Sequence, residues 1–383
     1  MITSLVAHTF EVDDIHMAVS EILAQLDLDH SLRKNSVGII TCHCDFMYSG
    51  VVKALSEKLP FDVVGISSLA SAAKGGSGLD ILTVCVLTSD DVSFSTALTE
   101  SVSQEQKEPL AKAYAAAAKQ QERPSLILAY GPLLEHISGD TFVGHITEIS
   151  GGAPLFGTLS CDHTPAFNEA SVIYNGEYYR DRMALVLLYG PVTPRFFCIA
   201  ISKENVQNQR GLITASTGNV IHTINGMPAM KYLESIGLNR EDLKISGSFP
   251  LALDYNDGGQ PVGRGIYTVA DNDDVYCGGD VPVNASLSTV ILNSEDVLRS
   301  AGHLAETICA QSEPGALLLL SCISRSLLLG TDPLGEVEKI DNAIGGRISY
   351  HMSYSGGEIC PVYTDNGSTA NRFHNFTLIA CAL

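Results

Sequence analysis

Apolar residues recur along the chain in short continuous runs, and three of these runs open a similar pattern. Residues 37–42, 125–131 and 316–322 are each followed by a stretch with helical spacing and then by a glycine-bearing apolar segment. The glycine-bearing segment starts about 30 residues after the run, which is the length of a β-α-β unit. Continuous apolar runs are typical of strands that are covered on both faces. The pattern predicts three approximate copies of one unit, with chance similarity among β-α-β segments as the alternative.

Each predicted copy contains a strand, a helix, a glycine-bearing strand and a closing strand. The segments are 37–42, 50–59, 60–68 and 81–87 in the first copy; 125–131, 142–149, 154–162 and 183–189 in the second; and 316–322, 334–340, 343–349 and 376–382 in the third. Helical periodicity predicts further helices over 12–26, 104–121 and 294–308.

The pattern changes after the second copy. Short alternating strands separated by turn residues follow, and they indicate a β-rich segment around 211–290. We therefore predict an α/β fold with mixed sheets (α+β in part), built as two domains from related β-α-β units. The predicted domains are 1–200 and 201–383, with the boundary near 195–210. A length of 383 residues suits two or three domains.

Composition narrows the class of protein. The chain is 45% hydrophobic and only 17% charged, which supports a large core and argues against disorder. Its formal net charge of -20 repels phosphate backbones and anionic membrane surfaces, so we expect neither nucleic acid nor membrane as a partner. The start of the sequence shows no export signal, and the ten cysteines are then expected to stay reduced in the cytoplasm.

The sequence shows no familiar catalytic signature, and we predict a protein that is not an enzyme. It contains no phosphate-binding loop, zincin pattern, nucleophile elbow or Cys-x-x-Cys. Residues 42–45, Cys-His-Cys-Asp, resemble metal ligands. Neighbouring residues on a strand point to opposite faces, however, so we expect a strand end beside a pocket and no metal.

Two charged residues stand out in the third copy. Arg325 follows a buried strand, at the end of the sheet where open α/β proteins bind ligands, and an arginine there can hold a carboxylate. Glu358 lies beyond the predicted middle strand and could meet Arg325. Two hypotheses stay open: an internal ion pair between them, or two side chains that both turn toward an amino-acid-like ligand.

Four further residues complete the candidate ligand site. His374 and Asn375 immediately precede the last strand, and His374 is a candidate ligand, base or weak haem partner. Asp162 is either a turn cap or a pocket carboxylate, and Arg264 is either an anion anchor or one half of a surface pair. A structural hydrogen-bonding role is the alternative for His374.

These motifs resemble the C-terminal half of the FIST family of sensory domains. The resemblance rests on Cys322 and Arg325, Ile344-Gly345, Gly357-Glu358-Ile359, and His374-Asn375-x-Thr377, in that order. Residues 218–229, and Arg264 followed by 275–282, look like the opening and the middle of the same half.

The N-terminal half matches the family more loosely, through residues 63–68 and 156–162. Leu69-Ala70-Ser71 stands where the family often has Gly-Glu, and Ser160-Cys161 replaces the usual Ala-Gly. These departures put in doubt any ligand group that the first of these loops would contribute.

The resemblance implies a cytoplasmic module that senses a small polar, amino-acid-like molecule and acts in signal transduction. Without an F-box-like segment or an attached kinase, cyclase or methyl-accepting region, the chain would be a stand-alone sensor that works through a separately encoded signalling protein. We expect no cofactor. Alternatives are a haem-dependent gas sensor with His374 as axial ligand, an enzyme using Cys322 or His374, and an interaction scaffold without a ligand. The oligomeric state stays open.

Overall fold

The computed structural model describes residues 1–120, 122–134, 137–164, 166–199, 201–241, 243, 249–311, 314–364 and 367–383. Its first third, in chain order, contains β1 (Thr3–Thr9), α1 (Ile15–Leu26), α2 (Leu28–Ser31), β2 (Asn35–Cys42), α3 (Asp45–Tyr48), α4 (Val51–Lys58), β3 (Val63–Ser67), β4 (Ser71–Ala73), β5 (Gly76–Gly78) and β6 (Leu82–Ser89). The second third contains β7 (Ser93–Leu98), α5 (Lys107–Ala117), β8 (Leu126–Gly131), α6 (Gly139–Ile149), β9 (Leu155–Leu159), β10 (Val172–Tyr174), β11 (Glu177–Tyr179) and β12 (Ala184–Tyr189).

The last part of the chain opens with one strand, β13 (Arg195–Ile199), and a 3₁₀ turn, Lys203–Asn205. A β-rich insert follows, with β14 (Val206–Thr217), β15 (Val220–Ile224), β16 (Met227–Pro228), α7 (Ala229–Ser235), β17 (Phe249–Asp254), β18 (Val262–Val269), β19 (Val275–Cys277) and β20 (Ser286–Val290). The third unit then resumes with α8 (Ser294–Gln311), β21 (Leu317–Cys322), α9 (Ile323–Leu329), α10 (Gly335–Ile344), β22 (Tyr350–Ser355), β23 (Glu358–Tyr363), β24 (Thr369–His374) and β25 (Leu378–Ala382).

Three six-stranded sheets in the described part share one strand order. They run β1-β6-β2-β3-β10-β11, β7-β12-β8-β9-β23-β24 and β13-β25-β21-β22-β4-β5. In each sheet the third and fourth strands are parallel, and the remaining pairs are antiparallel. The three predicted copies are therefore three structural units of the same topology.

The units exchange hairpins in a cycle. The β4–β5 hairpin of the first unit joins the third sheet, β10–β11 of the second joins the first, and β23–β24 of the third joins the second. Each sheet thus borrows its last two strands from a neighbour. The division of the chain at residue 200 stays a prediction, because sheets combine strands from both sides of it.

Burial explains the continuous apolar runs. One face of all three sheets contributes to a common core, with Ile39, Leu128 and Leu318 as examples. The opposite faces pack under separate helices: α1 and α4 in the first unit, α5 and α6 in the second, α8 and α10 in the third. Strands such as β6 and β21 are consequently buried at every position.

The insert is a barrel. Strands β14, β20, β17, β18, β19 and β15 pair in sequence, and β15 pairs again with β14 to close the ring. Its interior has its own apolar cluster, which includes Ile213, Leu251 and Ile266. This barrel confirms the β-rich segment predicted around 211–290. The mixed α/β class is also confirmed.

The predicted middle strand of the third copy was wrong. Residues 343–349 contain the end of α10, where Gly345 adopts a left-handed conformation with φ of 59° and donates its N–H to the Asp341 carbonyl. Glycine is common at such helix ends because it has no β-carbon to clash. The strand that plays this part is β22, which begins at Tyr350.

The predicted helices are present with shifted ends. Residues 12–26, 104–121 and 294–308 correspond to α1, α5 and α8. The start of α1 is fixed by Asp14, whose side chain accepts a hydrogen bond from the Met17 N–H. None of the described helices combines the length and the apolar character needed to cross a membrane.

Candidate functional site

Loops from all three units meet at the carboxyl ends of the parallel strands. Ser68, after β3, donates its hydroxyl to the Tyr354 carbonyl at 2.7 Å. The Cys161 N–H, after β9, donates to the Ser67 carbonyl, and the Gly356 N–H, after β22, donates to the Leu159 carbonyl. The candidate residues of the third unit are fixed around this junction.

Arg325 forms an ion pair inside the protein. It lies on α9, is 3% exposed, and donates to the Glu336 carboxylate from Nε at 2.8 Å and from Nη2 at 2.5 Å. Nη2 also donates to the Ser300 hydroxyl at 2.8 Å. The ion pair suggested between Arg325 and Glu358 is therefore not formed, because Glu336 on α10 takes the guanidinium.

Arg264 is also saturated by internal acceptors. It lies on β18 of the barrel and donates to Asp140 of α6 at 2.9 Å, to the Tyr255 hydroxyl and to the Phe373 carbonyl. Arg264 is fully buried, so neither a surface pair nor a free anion anchor describes it. Its contacts attach the barrel to the second unit.

Asp162 caps a turn. One carboxylate oxygen accepts the Thr164 N–H at 2.5 Å and the other accepts the Glu169 N–H at 2.7 Å. Both oxygens are therefore used within the loop that follows β9. Of the two roles considered for Asp162, its hydrogen bonds match the turn cap.

His374 is enclosed. Its Nε2 lies 3.2 Å from the Cys360 carbonyl, which can only accept, so Nε2 carries the proton. Nδ1 lies 3.9 Å from the Cys198 sulfur. Burial lowers the pKa of His374 to about 3, which keeps the ring neutral.

Glu358 differs from these residues because its hydrogen bonding is incomplete. It is fully buried, and Oε1 accepts the Ser355 hydroxyl at 3.1 Å. By distance and angle, Oε2 has no hydrogen-bond partner among the described residues, although the Cys322 thiol and the Thr377 N–H lie close enough to lower the pKa of the carboxyl. Burial raises the pKa of Glu358 well above its ordinary value, and nearby Ser355, Arg325, Cys322 and the Thr377 amide only partly oppose this.

Asn375 lacks partners at both ends of its amide. The side chain is buried, and neither Nδ2 nor Oδ1 has a hydrogen-bond partner in the described part of the chain. Buried amides are nearly always satisfied, so two orphan atoms on one side chain are unusual. Asn375 lies between Gly357, which precedes Glu358, and Gly278 of the barrel.

Tyr267 of the barrel completes the group. Its hydroxyl and the Asn375 Oδ1 each lie 2.7 Å from the position that a β-carbon on Gly278 would occupy, so a side chain at position 278 would displace both. The pKa of Tyr267 is raised, first by burial of the hydroxyl and then by Cys322 and Glu358. The residue as a whole is nevertheless 48% exposed. We call Glu358, Asn375 and Tyr267 the Glu358 cluster.

The described structure also has a cleft of about 1590 Å³, whose lining residues do not include Glu358, Asn375 or Tyr267. It lies between the barrel, β13, α8 and α10, and its walls include His303, Glu306 and Lys339. Two of its lining residues, Cys198 and Arg325, interact electrostatically with Glu358.

The geometry offers little for nucleophilic or metal chemistry. Burial raises the pKa of the Cys322 thiol to about 12, whereas a reactive cysteine needs a lowered pKa. No group of three or more His, Cys, Asp or Glu side chains in the described ranges is arranged to hold a metal ion. His43, from the metal-like sequence, stacks on His163 with ring centroids 4.5 Å apart.

Glu358 and Asn375 were among the candidates predicted from the sequence, whereas Tyr267, Glu336 and Asp140 were not. A signal for Tyr267 exists: Gly263, Gly265 and Tyr267 alternate along β18, and glycines on one strand face indicate close approach of another backbone. Glu336 and Asp140 lie in the first turns of helices, where acidic residues are common for other reasons.

Two family models match the chain. The FIST N domain matches residues 36–227 and the FIST C domain matches residues 229–361. The chain belongs to the FIST family. FIST domains are sensory domains that bind small ligands. The C-domain match ends before β24, so the His374-Asn375 segment lies outside the matched range.

Solved structures resemble the chain only distantly. Cyanuric acid hydrolase from A. caulinodans is 12% identical with a TM-score of 0.35, and the alignment covers 100% of this chain and 99% of that one. PurLQS from Thermotoga maritima is 8% identical with a TM-score of 0.21, covering 99% and 72%. No curated protein matches the chain at a significant level.

Proposed function

We propose that this FIST protein is a cytoplasmic sensor of a small polar molecule of amino-acid size, and that it signals through a separate protein partner. The observation that carries the proposal is the Glu358 cluster, where three polar atoms of buried side chains lack hydrogen-bond partners among the described residues. Natural proteins seldom leave such atoms unsatisfied, and a bound ligand would satisfy them.

The contrast between neighbouring side chains supports this location. Three other residues were also predicted from the sequence to bind a ligand: Arg325, Arg264 and Asp162. Their hydrogen-bond donors or acceptors are occupied by groups inside the protein. Glu358 and Asn375 retain unused hydrogen-bonding capacity. Ligand binding at this cluster would also bridge the barrel and the third unit, because Tyr267 and Glu358 come from different parts of the fold.

The same geometry supports a protein that is neither an enzyme nor a haem sensor. The high pKa of the Cys322 thiol is the opposite of what a nucleophile requires. His374 is buried, and its Nε2 donates its proton to the Cys360 carbonyl. Axial ligation of iron through Nε2 would require this hydrogen bond to break. We keep the absence of catalysis and of haem as part of the proposal.

A thermal-shift screen tests the proposal. The purified chain is screened against amino acids and other small polar metabolites, and a ligand of the cluster should raise Tm in a concentration-dependent way. The Glu358→Ala/Asn375→Ala double variant should lose the shift. Glu57→Ala/Asn208→Ala removes the same two residue types from exposed positions outside the cleft, and it should keep the shift.

Arg325→Ala is a poor test of binding because it leaves Glu336 buried without its partner. A screen in which no compound stabilises the wild-type chain would contradict the sensor proposal. A stabilising compound whose effect survives the double variant would contradict the location.

A further inference from the structure

The orphan atoms of the Glu358 cluster also restrict the chemistry of the ligand, if the proposed sensing function holds. Asn375 offers one acceptor, Oδ1, and one donor group, Nδ2, and both lack partners among the described residues. A group that satisfies both must itself carry a donor and an acceptor side by side. Carboxylates only accept, and ammonium groups only donate.

Charge gives an independent restriction. The three guanidinium groups that act on Glu358 or on its neighbour His374 belong to Arg325, Arg264 and Arg372. They are paired with Glu336, Asp140 and Asp257 respectively. A ligand carboxylate would therefore be buried beside Glu358 without a free cation, which is unfavourable because the lost hydration of the charge is not compensated.

A cationic ligand is disfavoured by the carboxyl itself. Burial raises the pKa of Glu358, which favours the neutral acid with an O–H donor and a carbonyl acceptor. Binding an ammonium group would require Glu358 to release its proton, and the Asn375 Nδ2 donor would remain unused. A neutral group with both donor and acceptor leaves every member satisfied.

We propose that the Asn375 amide, with Glu358 and Tyr267 beside it, binds an uncharged carboxamide or ureido group of a small ligand. The Asn375 Oδ1 accepts from the ligand N–H, while Nδ2 donates to the ligand carbonyl. Glu358 and the Tyr267 hydroxyl complete the contacts from the two sides of the cluster. Tyr267 is 48% exposed, and we place the rest of the ligand on its side of the cluster.

Three probes of nearly equal shape test the charge requirement: acetamide, acetamidinium and acetate. Binding is measured by ligand-detected NMR titration on the full chain. Acetamide should bind at least about 10-fold more tightly than either ion, because an unsatisfied or unpaired buried group costs roughly 1–3 kcal/mol.

Variants then identify the contacts. Asn375→Ala should weaken acetamide binding about 10-fold, whereas Asn208→Ala, the same change at an exposed barrel position, should leave it unchanged. Glu358→Gln should retain binding within about 3-fold, because glutamine keeps one donor and one acceptor. Asn375→Asp should reverse the preference toward acetamidinium, because the donor is replaced by a second acceptor.

Tighter binding of acetamidinium or acetate than of acetamide to the wild-type chain would overturn the inference. So would loss of acetamide binding in Glu358→Gln, which would indicate an ionised carboxylate. If no probe binds while each variant folds with an unchanged Tm, the orphan atoms are satisfied by ordered water and the inference is wrong. A metabolite that stabilises the chain independently of Asn375 would preserve the sensor proposal and still overturn this one.

Discussion

Two buried polar regions lie close together in the third unit, and they differ in how completely they are satisfied. In one region Arg325 and Glu336 bind each other, and Ser300 and Ser321 take further positions on the same two groups. In the other, Glu358 and Asn375 leave three atoms without partners in the described structure. Burial is the same, so burial alone does not separate structural from functional residues.

The difference suggests which residues each role requires. A charged group that meets its counter-charge inside the protein contributes to the packing of particular helices, here α9 against α8 and α10. A buried polar group without a hydrogen-bond partner lowers the stability of the folded protein, since burial without a hydrogen bond costs free energy. Its retention is reasonable where a ligand supplies the missing contact.

The largest expected effect comes from breaking the satisfied region. Glu336→Ala leaves the Arg325 guanidinium buried with no carboxylate, and we expect it to lower the free energy of unfolding by about 3–5 kcal/mol. Chemical denaturation of the purified variant measures this loss.

The control replaces both partners. Arg325→Met/Glu336→Leu removes the two charges together and should recover most of the stability lost in the single variant. If Glu336→Ala were as stable as wild type, the ion pair would contribute nothing, and the contrast between the two regions would fail.

A second effect concerns His374, which lies opposite Glu358 on the paired strand. Its pKa is about 3 in the folded protein against 6.5 for the free side chain. Between these values the unfolded chain binds a proton that the folded chain does not, so stability falls as pH drops below 6.5. At pH 4 the loss approaches roughly 3 kcal/mol.

His374→Gln should reduce this loss. The free energy of unfolding, measured from pH 7 to pH 4, should decline less steeply in the variant by up to about 1.4 kcal/mol per pH unit. His351 provides the comparison, because burial lowers its pKa to about 4 and the wild-type slope contains its contribution too. Equal slopes in wild type and His374→Gln would mean that His374 takes up a proton in the folded state.

The elements were largely predictable because burial on both sheet faces leaves a strong local signal. Strands such as β8 and β21 are apolar at nearly every position. β22 was not predicted because its sequence, Tyr-His-Met-Ser-Tyr-Ser, mixes polar and apolar residues. Every position is nevertheless buried between the central core and the helices. The His351 ring is tolerated there through its contacts with Thr41 and Thr83.

The hairpin exchange could not be predicted from local pattern. β4 pairs with β22 across nearly 280 residues of sequence, and three residues of a short strand carry no mark of their partner. In the candidate site, too, residues in local motifs were predictable and residues from distant elements were not. Glu358 and Asn375 stood beside glycines in recognisable motifs, whereas their neighbour Tyr267 and the competing partner Glu336 come from other elements.

The last prediction sharpens the comparison most, because it tests the protonation of Glu358 directly. With a pKa raised by burial, the folded chain holds a proton that the unfolded chain releases above about pH 4.3. The carboxyl therefore reduces stability as pH rises from that value toward its folded pKa. Glu358→Gln cannot titrate and should be close to wild type in stability near pH 4, then become progressively more stable than wild type as the pH rises toward the folded pKa of Glu358. The difference should grow by at most about 1.4 kcal/mol per pH unit, measured by denaturation of both proteins in parallel.

Glu57→Gln is the control, because Glu57 is an exposed glutamate on α4, and its difference from wild type should not change with pH. A flat difference for Glu358→Gln as well would mean that Glu358 is ionised in the folded state, and the unsatisfied region would then have to be interpreted as a site for a cation.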